Sequence, residues 1–168
     1  YYKNDVFPIP EPIKTGKATR VMIFKDGQKK MSKSDPSDQS RINLKDDSSL
    51  IKKKIQKAKT DSDPFPNNVE NLSERPEIKN LINIYSAITK KSEEQVIKNY
   101  FEKDFKTFKN DLSEIVDNEV SEISKEMKHL LDDTKYLDSI IKDGSERAQE
   151  IAEKNIKELK KIIGFFGT

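Results

Sequence analysis

The sequence predicts a mainly α-helical protein: a helical bundle appended to the edge of an incomplete α/β domain. Three observations carry that prediction. Arg20-Val21-Met22-Ile23-Phe24 is an apolar run of strand length. A stretch dense in lysine and serine, Lys29-Lys30-Met31-Ser32-Lys33-Ser34-Asp35, follows it closely. From Asp46 onward apolar residues recur at helical spacing.

Taken in order, residues 1–19 read as irregular, because Phe7-Pro8-Ile9-Pro10-Glu11-Pro12 holds the chain extended. The apolar run at 20–24 reads as a strand buried on both faces, as in a parallel sheet. An Asp26-Gly27 turn ends it, which puts the basic stretch at a strand's carboxyl end, where open α/β sheets bind ligands. One strand is not a sheet, so its partners are expected upstream of Tyr1. Ser48 or Ser49 is expected to cap a helix with Leu50, Ile51, Ile55 and Ala58 inward and Lys52, Lys53, Lys54 and Lys57 on its other faces. A polar loop runs from Thr60 through Leu72. Pro76 in Arg75-Pro76-Glu77 then opens a helix carrying Ile78, Leu81, Ile82, Tyr85 and Ile88.

Ser92 with Gln95 forms a capping box ahead of Val96, Ile97, Tyr100 and Phe101, all expected inward. The longest apolar stripe runs from Phe105 to Leu131, about six or seven turns at 3.6 residues per turn. Its outer face is acidic (Glu114, Asp117, Glu119, Glu122, Glu126). Residues 136–141 read as a short helix stopped by Gly144. A last helix carries Ala148, Ile151, Ala152, Ile156, Leu159, Ile162 and Ile163 to a stop at Gly164. The apolar stripes of these helices are expected to form a core.

Length and charge bound the function. The 168 residues fit one domain, or one small domain with an appendage. There is no cysteine, which excludes disulfides and thiolate metal sites within the chain. No apolar run reaches membrane-spanning length. The single histidine, His129, has no second histidine or cysteine to make a metal site, and reads as a surface or cap residue. Tyr1 stands where a methionine would open a gene product, so the chain is expected to be a piece of a longer one. The net charge of +2 conceals an asymmetry. Residues 1–60 hold 15 Lys/Arg against 7 Asp/Glu, whereas residues 61–168 hold 17 against 23. Within the helical part, residues 89–110 are the basic exception, with 6 lysines against 4 acids. Lys90, Lys91, Lys98 and Lys106 there are the candidates for contact with RNA, set against the plainer reading of a solvated face.

The basic stretch is the chemically informative one. Ammonium groups, serine hydroxyls and backbone N–H groups on one loop make a concavity that favours a polyanion. Phosphoryl and adenylyl transfer need positioning and neutralisation of charge developing on oxygens, which mobile lysines can supply. The plainer alternative is a lysine-rich surface turn.

Lys30-Met31-Ser32-Lys33-Ser34 is, letter for letter, the KMSKS signature of class I aminoacyl-tRNA synthetases. The chain beyond it resembles the C-terminal half of the tryptophanyl-tRNA synthetases of bacterial or organellar type. That likeness is carried by residues 7–12, 20–22, 30–35, Lys57-Ala58-Lys59-Thr60-Asp61-Ser62, residues 75–81 and the closing 143–148 and 163–165. Tyrosyl enzymes vary the signature loop and end in a different domain, which disfavours them. A tyrosyl or other class I synthetase, with the same loop chemistry, and a non-enzymatic helical interaction module are the two alternatives.

The resemblance implies a helical bundle on the edge (one strand plus the KMSKS loop) of an incomplete Rossmann-like α/β catalytic domain. Residues 1–45 would be the end of that domain and residues 46–168 the tRNA- and anticodon-binding bundle. It implies ATP, as its Mg2+ complex, tryptophan and tRNA(Trp) as substrates. Lys30 and Lys33 would be catalytic, and Ser32 and Ser34 would bind phosphate or fix the loop. Backbone groups of Val21 and Met31 would hold adenine. It also implies a homodimer formed through an N-terminal half, a cytoplasmic or organellar location, no membrane and no protein-bound metal. The HIGH-type signature and the tryptophan pocket would precede Tyr1, so the isolated chain is expected to bind ATP weakly and to activate nothing.

Overall fold

The computed structural model describes residues 7–13 and 20–165. The elements are β1 (Met22–Ile23), β2 (Asp26–Lys30), α1 (Ser48–Gln56), α2 (Pro76–Thr89), α3 (Glu93–Tyr100), α4 (Phe105–Asp132) and α5 (Thr134–Ile162), with 3-10 turns at Asp38–Ser40 and Glu70–Leu72. The fold is mainly α, with one two-stranded sheet. The described residues fall into two compact units, 20–128 in one and 7–13 with 129–165 in the other. Residues 7–13 are irregular and exposed, as the prolines require; residues 1–6 and 14–19, also read as irregular, lie outside the described residues.

The strand has a partner within the chain that the sequence did not predict. β1 pairs with β2, antiparallel, with Met22 opposite Lys30, Ile23 opposite Asp26 and a break in register between them. The turn is Phe24-Lys25, two residues earlier than Asp26-Gly27. Phe24 is buried in the core, its N–H donating to Ser40 O and its carbonyl accepting from Lys59 N. Val21 and Met22 are only half-buried.

Two contacts with α2 hold the hairpin. The Asn80 side chain accepts from Met22 N (2.9 Å) and donates to Met22 O (3.0 Å), so a buried amide serves as the neighbouring strand. Gly27 lies against the first turn of α2. A Cβ there would stand 2.5 Å from Glu77 N and 2.6 Å from Pro76 O.

Helix α1 is capped one residue before the expected serines. Asp47 is its N-cap and accepts from Leu50 N at 2.8 Å. Ile51, Ile55 and Ala58 are buried as expected, but Lys54 is buried with them. Its position three after Ile51 and four before Ala58 places it on the apolar stripe. Its Nζ lies 2.6 Å from Asp46 and 2.8 Å from Asp38.

Arg75 joins the following loop to α2, with two hydrogen bonds to Asp61 (2.8 and 2.5 Å) and one to Pro64 O. Pro76 at the first position of α2 and the Ser92–Gln95 capping box of α3 stand as the sequence predicts. The core closes around Phe108, whose ring lies 5.0 Å from Tyr100 and 5.1 Å from Phe65. Tyr100 donates to Asp111 Oδ2 at 2.7 Å, and burial, before that bond, raises its pKa. Phe101 is the exception on α3: it follows the last helical residue, as the C-cap, and is 45% exposed.

The last two helices bury less than their stripes promise. On α4, Phe108, Leu112 and Val116 are buried, while Ile123 and Leu131 are 49% and 46% exposed. The short helix expected at residues 136–141 is the start of α5, which runs through Gly144 for 29 residues. An interior glycine costs a helix only about 1 kcal/mol, and the i,i+4 pair Asp143–Arg147 at 3.0 Å spans the position. No residue of α5 is buried, and Ile151 and Ile156 are 64% and 50% exposed, against the expected core role. The stop at Gly164 is as expected: φ is +73°, with Gly164 N donating to Lys161 O and Phe165 N to Lys160 O.

Gly27→Ala is expected to lower stability by about 2 kcal/mol, the scale of overpacking against unyielding backbone. Gly144→Ala, whose Cβ meets nothing within 4 Å, should raise it by about 0.5–1 kcal/mol. Urea unfolding of the two variants beside the parent protein measures both; equal effects would contradict the close contact at Gly27.

Candidate functional site

The loop that follows β2 is fixed at both ends and open between them. At its start Met31 N donates to Val21 O at 2.9 Å, extending the hairpin pairing past Lys30. In the middle the serines fold onto one another. Ser34 N donates to Ser32 Oγ (3.3 Å), the two hydroxyls lie 3.0 Å apart, and Asp35 N donates to Ser32 O (3.3 Å). At its end Asp35 accepts from Ser37 N at 2.8 Å and from Lys29 Nζ at 3.2 Å. The Ser37 amide, then the Lys29 ammonium, hold the Asp35 carboxyl below the usual carboxylate range.

That arrangement divides the loop's lysines. Lys29 is spent on Asp35, bridging the two ends. Lys30 and Lys33 are exposed and make no ion pair among the described residues. Two unneutralised ammonium groups beside two serine hydroxyls, on a turn with fixed ends, suit a phosphate-bearing ligand. Of the backbone groups expected near adenine, Met31 N–H and Val21 C=O already bond each other. Among the described residues no group of three His, Asp or Glu side chains could hold a metal ion.

The lysines singled out for RNA lie apart along the chain. Lys90 is the left-handed C-cap of α2 (φ 60°), and Lys91 follows it in the turn to α3. Lys106 is exposed in the first turn of α4. Lys98 is exposed on α3, at a groove of about 530 Å³ that Phe101, Asn67 and Asn68 also line. Glu70 and Glu94 line the same groove, so its field is not uniformly basic. His129 is exposed in the last turn of α4.

One lysine of the basic 89–110 stretch is withdrawn from any such surface. Lys109 is buried, donating to Ala58 O at 2.7 Å and to Thr60 Oγ1 at 3.3 Å. Burial lowers its pKa. Sequence reasoning also missed Asn80, Arg41 and Lys54. For both buried lysines the signal was present, since each falls at i+3 or i+4 from core residues of its helix.

A family model described as tRNA synthetases class I (W and Y) matches residues 2–121. The chain is 51% identical to a tryptophan–tRNA ligase of Agrobacterium fabrum over 95% of its own length, and 45% of that protein is covered. A tryptophanyl-tRNA synthetase structure from Mycoplasma pneumoniae superposes with a TM-score of 0.69 at 25% identity, covering 89% of this chain and 46% of the other. One from Campylobacter jejuni, complexed with ADP and tryptophan, gives a TM-score of 0.64 at 25% identity, over 87% of this chain and 44% of the other. The chain spans about half the length of the curated relatives it matches.

Lys109→Met should change how stability depends on pH. With the folded pKa below 10.5, the unfolded chain holds the proton longer, so Lys109 adds stability as pH climbs toward the unfolded value. The difference between parent and variant, followed by urea unfolding at alkaline pH, should move in the parent's favour. A pH-independent difference would contradict the buried placement.

Proposed function

The chain belongs to the class I tRNA synthetases of the W and Y family, and we propose that it supplies the phosphate loop and tRNA-facing helices of a tryptophan–tRNA ligase. That enzyme would condense tryptophan with ATP to tryptophanyl-adenylate, releasing pyrophosphate, and pass the tryptophanyl group to tRNA(Trp). The observation that carries the reading is the pair of exposed, unpaired lysines Lys30 and Lys33, on a fixed-ended loop of a chain 51% identical to a tryptophan–tRNA ligase.

As the carboxylate of tryptophan attacks the α-phosphorus, negative charge gathers on the departing pyrophosphate. Lys30 and Lys33 would neutralise it, with Lys33 contributing most in the transition state. Ser32 and Ser34 would hydrogen-bond phosphate or shape the turn, as their mutual contact at 3.0 Å already does. Adenine would meet the backbone groups of Val21 and Met31 that the Met31–Val21 bond leaves over. Mg2+ would arrive with ATP.

On this reading residues 1–45 close a Rossmann-like catalytic domain and residues 46–168 form the tRNA-binding bundle, with Lys90, Lys91, Lys98 and Lys106 nearest the RNA. The tryptophan pocket and the dimer contact belong to a half outside this chain, and the enzyme works in the cytoplasm or an organelle. The chain by itself binds ATP weakly.

ATP–pyrophosphate exchange by the full-length protein is expected with tryptophan, and not with tyrosine or without amino acid. Exchange driven by tyrosine would keep the chemistry and change the substrate; no exchange from folded protein would favour a non-enzymatic helical module. Lys33→Ala should slow the exchange about 10²–10³-fold, the size of one lost charged contact to the transition state. A near-normal Lys33→Ala beside a crippled Lys30→Ala would reverse the two roles.

A further inference from the structure

We propose that Arg41 and Lys54 are positioning residues for the loop, fixing its carboxyl end so that Lys33 closes on the phosphates beside Lys30 from a stationary base. The proposal rests on the reading of this loop as the ATP-phosphate loop.

A continuous polar path runs from the loop into α1. Arg41 Nη1 donates to the carbonyl of Asp35, the residue directly after Ser34, at 2.8 Å. Its Nε donates to Asn43 Oδ1 at 3.0 Å, and its Nη2 lies 3.7 Å from Asp38. Asn43 Nδ2 donates to Asp38 Oδ1 at 2.7 Å, and Asn43 N donates to Asp46 Oδ2 at 2.8 Å. Asp38 and Asp46 then meet on Lys54, at 2.8 and 2.6 Å. One ammonium therefore joins helix α1 to two separate points of the segment leaving the loop.

The environment makes this tie directional rather than merely adhesive. The Lys54 side chain is 0% and that of Asp46 5% exposed, and a buried ion pair adds little stability over an apolar pair of the same size. What it adds here is geometry, because each charge stays satisfied only in one arrangement. Arg41 is likewise mostly withdrawn from solvent, its side chain 18% exposed. Its planar fork ends on a loop carbonyl, an amide oxygen and a carboxylate, all within the segment 35–43. Together with the Met31–Val21 bond at the other end, it leaves residues 32–34 as the part able to move.

The test uses the full-length protein, with Arg41→Met and the double variant Lys54→Met/Asp46→Asn. The double variant removes the two buried charges as a pair; Asp38, half exposed, loses Lys54 but keeps Asn43 and Arg41. ATP–pyrophosphate exchange gives kcat and the KM values for ATP and for tryptophan, and thermal unfolding reports folding. Each variant should raise KM for ATP, or lower kcat, about tenfold, as for one lost charged anchor. KM for tryptophan and the unfolding midpoint should stay near the parent's. Parent-like ATP kinetics in Arg41→Met, or a KM raised as much for tryptophan as for ATP, would overturn the proposal. Lys33→Ala run alongside separates the two ideas. If it slows exchange while Arg41→Met does not, only the positioning role falls; if neither does, the phosphate-loop reading falls with it.

Discussion

The hairpin is pressed onto the first turn of α2 with no side chain between them at Gly27, where a Cβ would stand 2.6 Å from the Pro76 carbonyl oxygen. Asn80, one turn further along the same helix, bonds both backbone polar groups of Met22. An isolated two-stranded hairpin is marginal in water, so its position is borrowed from α2. That helix is fixed in turn by Ile78, Leu81, Ile82 and Tyr85, each no more than 5% exposed. The basic loop begins at the end of β2, and its starting point is thereby set by the core rather than by the loop's own contacts.

Lysine placement shows how environment decides the use of one side chain. Taking an ammonium out of water costs several kcal/mol unless partners replace the solvent. Lys54 meets two carboxylates and sits at the centre of a network. Lys109 meets only a carbonyl and a hydroxyl, and burial pulls its pKa down. Lys30 and Lys33 remain in water, with no carboxylate among the described residues against them. In water a single charge pair at 4 Å is worth only about 1 kcal/mol, so their attraction for a ligand becomes large only where several phosphate oxygens converge and water is excluded.

Local signals were legible in the sequence, and non-local ones were not. Proline at the start of α2, the Ser92–Gln95 capping box and Gly164 at the end of α5 each act within one helical turn, and all three stand where the residues place them. The lysine-serine stretch was recognisable as the candidate site because its chemistry lies within seven contiguous residues. The hairpin turn was misplaced because Gly27 is required by a helix some fifty residues away, not by a turn. Gly144 looked like a stop, yet no αL residue occurs there and the helix continues. Lys54 was assigned to solvent by its charge, although its spacing from Ile51 and Ala58 put it on the buried face. The bonds of Arg41 depend on how residues 35–43 fold back, which no periodicity reports.

The loop is thus bonded at both ends, with a short middle that carries the proposed phosphate chemistry. Amide hydrogen exchange over residues 20–45 of the full-length protein, with and without ATP and Mg2+, tests that description most directly. It predicts that nucleotide protects residues 32–34 while Met22, Met31 and Ser40 stay protected in both states. Equal exchange throughout with and without nucleotide, or protection that appears across the whole hairpin and the segment after it, would contradict it.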